Sequence, residues 1–395
     1  MPGFEPFAGL RYDPSVPLDA VIAPPYDVVG PVQRAELAGR HRANAIHVEL
    51  PAEDPDRRLD RYSNAAHLLA AWIDEGIVLQ DAAPVFYAYR MTTDTGSTSG
   101  VIGALACEPI GGDILPHEQT IPKDRSDRLE LLRATTTNTS PIWGLSLTEG
   151  LSFLYQQSEP ADAVATDDDD VIHELWVIDD PATIEAIRVS VDSSPIVIAD
   201  GHHRYETALT YQAERRAARD GLRGDYDLVM ALVVELAPDQ LTVGPIHRML
   251  RGVSDEQALL TAFGKWFDVV HAGVADEQLV TAIADSQAVA LVSRKDVWLL
   301  TPREGAYQAA GSDLDSSLVA LAVDGLPGVT VDHNHHWRTV ISAVMDAEAD
   351  AAVLIRPVTV AQIGEWARAR RRMPPKSTYF HPKPRTGMVY RQLQD

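Results

Sequence analysis

The spacing of apolar residues changes several times along the chain, and each change predicts an element. Pro84 to Tyr89 alternates as a strand, Met91 to Gly100 is rich in Thr, Gly and Ser, and Val101 to Cys107 resumes an apolar run. That pattern predicts a hairpin standing as a two-stranded edge. The strongest apolar run, Leu228 to Leu236, carries Glu235 near its end and is far too short to cross a bilayer, so it reads as a buried strand. Pro195 to Ala199 is a short β-branched run that leads through Asp200 and Gly201 into a helical segment from His203 to Arg219. Tyr205, Ala208, Leu209 and Ala213 share one face of that helix, while Glu206, Glu214 and Arg216 lie outside it. The order is strand, tight turn, helix.

Four regions follow from these shifts. Residues 1–110 form an N-terminal α/β region, with turn chemistry at Ala23 to Asp27, a polar helix containing Arg34, Glu36 and Leu37, and the hairpin. Residues 111–250 hold the chemically suggestive residues. Residues 251–330 alternate helices (Asp255 to Phe267, Asp276 to Ala284) with a strand (Ala288 to Ser293), as a smaller α/β lobe would. Residues 331–395 contain a strand at Ala351 to Ile355, a helix at Val360 to Arg372 and a basic, proline-rich loop from Met373 to Pro384.

Composition narrows the function classes. Of 395 residues 45% are hydrophobic and 23% charged, as expected of a folded chain. The 34 basic and 57 acidic residues leave a net charge of -23, which argues against nucleic acid or an anionic membrane as partner. The one cysteine, Cys107, lies in an apolar stretch and reads as a buried side chain. No secretory signal is visible, so the cytoplasm is the expected compartment. The acidic tract Asp167 to Asp170 reads as a solvated loop.

The turn at Gly201 is the centre of the candidate chemistry. A helix N-terminus presents unpaired N–H groups and partial positive charge, and a glycine lets the backbone approach a ligand. His202, His203 and Arg204 add donors where the helix dipole alone would favour acids, a mismatch that a bound phosphate would resolve. The same residues also fit a plain N-cap at Asp200, a turn at Gly201 and structural histidines. Upstream, Glu118 beside His117 can accept a hydroxyl proton while Lys123, Arg125 or Arg128 holds charged oxygens, or the segment is simply an exposed helix with ion pairs. Neither His202 with His203 nor Asp332, His333, His335 and His336 has a diagnostic metal-ligand spacing.

Six segments together resemble the bacterial DUF1015 family: Ala23 to Val28 (APPYDV), His117 to Thr120 (HEQT), Asn138 to Ile142 (NTSPI), Asp200 to Tyr205 (DGHHRY), Pro245 to Arg248 (PIHR) and Met373 to Lys383 (MPPKSTYFHPK). Ile246 departs from the small polar residue expected there. The stretch from His117 to Arg204 is in turn similar to the ParB and sulfiredoxin-like superfamily, particularly its free serine kinases. The fold this implies is α+β, a mixed sheet with flanking helices, made of a ParB/sulfiredoxin-like central core with additional α/β lobes. Sulfiredoxin chemistry does not follow, because His202 stands where the reactive cysteine would be.

The resemblance implies a nucleotide-dependent phosphotransferase acting on a small hydroxyl metabolite, with free L-serine as a candidate. Asp200, Gly201, His202, His203 and Arg204 would bind nucleotide phosphates, Mg2+ would accompany ATP or ADP, and Glu118 would be the base. His117, Arg128, Asn138, Ser140, His247, Arg248, Lys376, Ser377 and Tyr379 are candidate contacts to substrate or phosphate, with Lys383 closing over the phosphates from the tail. Two alternatives stay open, a ParB-like nucleotide-binding regulator without turnover and a phosphoserine phosphatase running the reverse chemistry. Oligomerisation is also open.

Overall fold

A computed structural model describes residues 2–118 and 126–394, so Gln119, Thr120, Lys123 and Arg125 lie outside the described residues. The fold is α+β with mixed sheets. The chain forms two compact units, the first comprising Met1–Thr242, Ala367–Arg371 and Phe380–Asp395, the second Val243–Trp366 and Arg372–Tyr379. This partition differs from the four expected regions. A boundary near 110 would cut the first unit's main sheet, and one near 330 would cut the second's.

The main sheet of the first unit contains β1 (Phe4–Glu5), β2 (Phe86–Thr93), β3 (Gly96–Ala106), β4 (Ile114–Pro116), β5 (Ile142–Ser146), β6 (Ala163–Thr166), β7 (Ile172–Ile178), β8 (Ile196–Asp200) and β9 (Leu228–Glu235). The strand order is β4-β8-β5-β9-β3-β2-β7-β6, with β1 added to β3. The β8–β4 and β9–β5 pairs are parallel and the others antiparallel. Central strands are covered on both faces, which is why β8 and β9 read as continuous apolar runs. The expected edge hairpin is instead central, because β3 pairs with both β2 and β9. Its Thr, Ser and Gly residues other than Thr95, which lies in the turn, are ladder positions. At Gly103 an added Cβ would come within 2.5 Å of the Phe4 ring, so the glycine admits the stacked Phe4 and Phe86 rings.

Helices α1 (Pro31–Arg40) and α2 (Arg61–Asp74) build a second core with Leu37, Ile46, Trp72 and Tyr390. Asp60 caps α2 by accepting from the N–H groups of Tyr62 and Ser63. The remaining long helices of this unit are α3 (Ser126–Thr135), α4 (Pro181–Asp192) and α5 (His202–Ala218). The Tyr205 hydroxyl donates to the Glu108 carbonyl and accepts from its N–H, pinning the first turn of α5. The acidic tract is not wholly solvated. Asp167 accepts from His173 Nε2 at 2.8 Å and from Arg385 Nε at 2.6 Å. Burial alone would raise its carboxyl, but these partners hold it well below the usual carboxylate range.

The second unit is built on an antiparallel sheet of β10 (His247–Arg251), β11 (Phe267–Gly273), β12 (Val289–Ser293), β13 (Val297–Pro302), β14 (Thr330–Asn334) and β15 (Ala351–Leu354), in the order β11-β13-β12-β15-β10-β14. Helices α6 (Glu256–Phe263), α7 (Glu277–Asp285), α8 (Asp315–Val323) and α9 (Trp337–Met345) bury its apolar residues. The helix expected to reach Phe267 stops at Phe263, because Phe267 opens β11.

Candidate functional site

Strand β8 delivers Asp200 to the point where Gly201 reverses the chain and α5 begins. Gly201 has φ +82°, and a Cβ there would meet the Arg204 guanidinium at 3.1 Å. The N-cap residue Gly201 has no side chain with which to cap α5. The first backbone bond of the turn runs from the Tyr205 N–H to the Gly201 carbonyl, so the amides of His202, His203 and Arg204 have no partner among the described residues.

Charged side chains from distant segments gather around this turn. Lys383 Nζ donates to Asp200 Oδ1 at 2.7 Å and lies 3.7 Å from Asp27. Arg204 donates to Asp200 Oδ2 at 3.0 Å, to Ser140 Oγ at 3.0 Å and to the Pro141 carbonyl. Burial would raise the Asp200 carboxyl, but Lys383 and Arg204 outweigh it and hold it at about 2. Burial would likewise lower the Lys383 ammonium, yet Asp200 and Asp27 raise it above the usual lysine value.

Behind Arg204 lies Glu49, a fully buried carboxylate. It accepts from Thr139 Oγ1 at 2.6 Å, Ser140 Oγ at 3.2 Å and the Tyr26 N–H at 3.3 Å. Arg128 donates to the Glu49 carbonyl at 2.7 Å and stacks over the Tyr26 ring at 4.3 Å.

The third group is built on His117, whose Nδ1 lies 2.8 Å from the Ile198 carbonyl. A carbonyl can only accept, so Nδ1 carries a proton, and Nε2 on the other side of the ring stands 3.5 Å from Glu118 Oε2. The His117 ring packs 5.1 Å from that of His202 and 5.4 Å from Phe380. His202 Nε2 is buried without a hydrogen-bond partner among the described residues. Burial, reinforced by His117, pushes its imidazole down to about 3, so it is neutral at pH 7. His203 Nδ1 stands 3.5 Å from Glu206 Oε2.

The first unit thus brings together Glu118, His117, Asp200, Gly201, His202, His203, Arg204, Ser140 and Lys383. Three of the candidate residues have partners inside the first unit. Arg204 is already engaged within the protein, donating to Asp200, Ser140 and the Pro141 carbonyl. Arg128 is committed to Asp127 and the Glu49 carbonyl. Asn138 uses Oδ1 to accept from the Met230 N–H inside the sheet. The other candidates belong to the second unit. There His247 Nδ1 accepts from the Ile355 N–H, Arg248 donates to the carbonyls of Ile246 and Lys376, Ser377 donates to the Pro374 carbonyl, and Tyr379 stacks on His335. Each of these four side chains thus has a partner within the second unit. Sequence reasoning left Glu49, Tyr26 and Asp27 without a role. The signal for Glu49 was slight, a single acid between Val48 and Leu50.

Among the described residues no group of three His, Cys, Asp or Glu side chains could hold a metal ion. Asp200 gives one oxygen to Lys383 and the other to Arg204, so the residues present do not build a resident magnesium site. None of the described helices is long and apolar enough to cross a membrane.

The architecture is that of an α+β protein whose candidate site lies at a strand-to-helix turn. The chain belongs to the family described as "Protein of unknown function (DUF1015)", whose model matches residues 4–319. A search of curated proteins gave no match. Among solved structures the chain is similar to a free serine kinase in complex with AMP, at 14% identity and a TM-score of 0.35, covering 68% of this chain and 83% of that one. It is similar to C-terminally truncated SbnI from Staphylococcus aureus at 12% identity and a TM-score of 0.39, covering 72% and 84%. A conserved hypothetical protein from Pyrococcus furiosus matches at 13% identity and a TM-score of 0.35, covering 68% and 87%. Likeness at this level leaves the functional reading to the chain's own residues.

Proposed function

We propose that the first unit binds a nucleotide phosphate at the N-terminus of α5 and transfers a phosphoryl group to a small hydroxyl metabolite, with free L-serine the first acceptor to test. The carrying observation is that the Glu118–His117 pair adjoins the uncapped turn at Gly201 through the packed rings of His117 and His202. The acceptor class follows from the resemblance of His117 to Arg204 to free serine kinases.

In this reading the acceptor oxygen attacks the terminal phosphorus while Glu118 takes its proton. The bond from phosphorus to the bridging oxygen breaks, and its electron pair leaves with the nucleotide. The amides of His202 and His203 face the growing negative charge, a task that needs position and fixed dipoles more than covalent chemistry. His117, held by the Ile198 carbonyl, can share the proton with Glu118. Arg204 is a positioning residue that holds Asp200 and Ser140. Magnesium belongs to this reading only as the nucleotide's own counter-ion. Phosphoserine hydrolysis would use the same groups in reverse, with water as acceptor.

The test is a phosphorus NMR screen of ATP, ADP and pyrophosphate with and without L-serine. Glu118→Gln is expected to lower turnover by roughly a hundredfold or more while nucleotide affinity is kept. Equal turnover in the variant and the parent would remove Glu118 from the chemistry. Unchanged phosphorus spectra with every donor would remove the phosphotransferase reading.

A further inference from the structure

A cavity of about 420 Å3 opens in the second unit where α8 begins and β15 ends, large enough for a small metabolite. Its wall carries charge of both signs. Asp315, almost fully buried, accepts from Arg356 Nε at 2.8 Å and NH2 at 2.7 Å, and Tyr307 bridges the pair by donating to Asp315 and accepting from Arg356. These bonds orient the guanidinium and leave its NH1 nitrogen without a partner among the described residues. Beside it, the first turn of α8 has Leu314 at the N-cap, with no capping side chain, and its backbone bonds begin at the Ser317 N–H. The amides of Asp315 and Ser316 therefore have no partner among the described residues. This part of the wall offers donors and suits a carboxylate.

Asp313 supplies the opposite character. Its carboxylate accepts from Trp366 Nε1 at 2.9 Å and Gln362 Nε2 at 3.1 Å, both neutral donors, so it is oriented without its charge being cancelled. A simple anion here would meet Asp313, and a simple cation would meet Arg356 and the α8 amides. A molecule carrying a carboxylate and an ammonium satisfies both, and Ile355 and Val358 provide apolar wall for a side chain. We propose that this cavity is a binding site for a free α-amino acid, separate from the site at Gly201 and independent of the reading given to it.

The experiment follows the Trp366 indole N–H resonance of the 15N-labelled full chain, assigned with Trp366→Phe, as the standard L-amino acids are added one at a time. For at least one of them a saturable shift is expected. Its deaminated and decarboxylated analogues, such as propionate and ethylamine if the ligand is L-alanine, should bind at least tenfold more weakly. Asp313→Asn changes an exposed side chain and should keep the fold while weakening the amino acid at least tenfold. No saturable shift with any amino acid overturns the proposal. So does a deaminated analogue that binds as tightly, or an Asp313→Asn chain with unchanged affinity, the result expected if the amino acid occupied only the first unit.

Discussion

Acidification should destabilise the first unit through His202. In the unfolded chain its imidazole titrates near 6.5, whereas in the fold burial and the neighbouring His117 and His203 push it to about 3 against the pull of Asp200 and Glu118. Between those values the unfolded state binds a proton that the folded state refuses, so stability is complete above 6.5 and falls as the pH drops toward 3. Each pH unit in that window costs about 1.4 kcal/mol, giving a loss of about 2 kcal/mol by pH 5. Urea unfolding of the parent and of His202→Gln at pH 7 and pH 5 measures this directly. The variant should lose about 2 kcal/mol less than the parent over that interval. His247, pushed to about 4 by burial and Arg248, adds its own slope in the second unit but is common to both proteins and cancels in the difference. A bound anion at the α5 N-terminus would favour protonated His202, so sulfate, whose charge is constant in this range, should bind more tightly at pH 5 than at pH 7. Equal pH slopes for the two proteins would refute the buried, neutral state of His202. Sulfate affinity that does not change with pH would refute its coupling to an anion site.

Further outcomes follow from the same network. Glu49→Ala leaves Arg128, Thr139 and Ser140 around an empty carboxylate position and should cost about 3 kcal/mol, read from the urea midpoint; a loss within experimental error would mean the cluster relaxes freely. Gly201→Ala forces a left-handed residue and brings a Cβ to 3.1 Å from Arg204, so a loss of about 1–2 kcal/mol is expected by the same measurement, and a neutral effect would count against the turn geometry. Burial pushes the Cys107 thiol up to about 12, so a thiol reagent at pH 8 should label the native chain negligibly and the urea-unfolded chain fully; rapid native labelling would contradict the burial.

Local features of the fold were legible because their causes are local. The apolar run at Ile196, the glycine at 201 and the helical face of Tyr205 and Ala208 are contiguous, and the strand, turn and helix appear within one residue of the expected limits at the start of α5. Periodicity puts the hairpin at an edge because it does not reveal the pairing partner of β3, which lies far along the chain in β9. The sequence neighbours of Arg204 suggest an anion, but they cannot reveal its partners Ser140 and Pro141, more than sixty residues away. Glu49 could not be assigned at all, since its meaning comes from Thr139, Ser140 and Tyr26 converging on it.

The charges of that cluster constrain what the site can do. Each cation of the inner network has a carboxylate beside it: Asp127 and Glu49 for Arg128, Asp200 for Arg204, and Asp200 with Asp27 for Lys383. Glu118 adds one further negative charge. A phosphate arriving at Gly201 therefore meets no unpaired lysine or arginine among the described residues, only helix amides and two imidazoles, donors that are strong when oriented but do not neutralise a full charge. Within the described residues, counter-charge comes with the ligand, as nucleotide-borne magnesium, or from a proton taken up by an imidazole such as that of His202. The second route makes the pH dependence of anion binding larger than a preformed arginine or lysine site would give, since those side chains stay protonated throughout the same range. Sulfate binding measured against pH in the parent and in His202→Gln therefore separates a site that recruits a proton from one that already holds its positive charge.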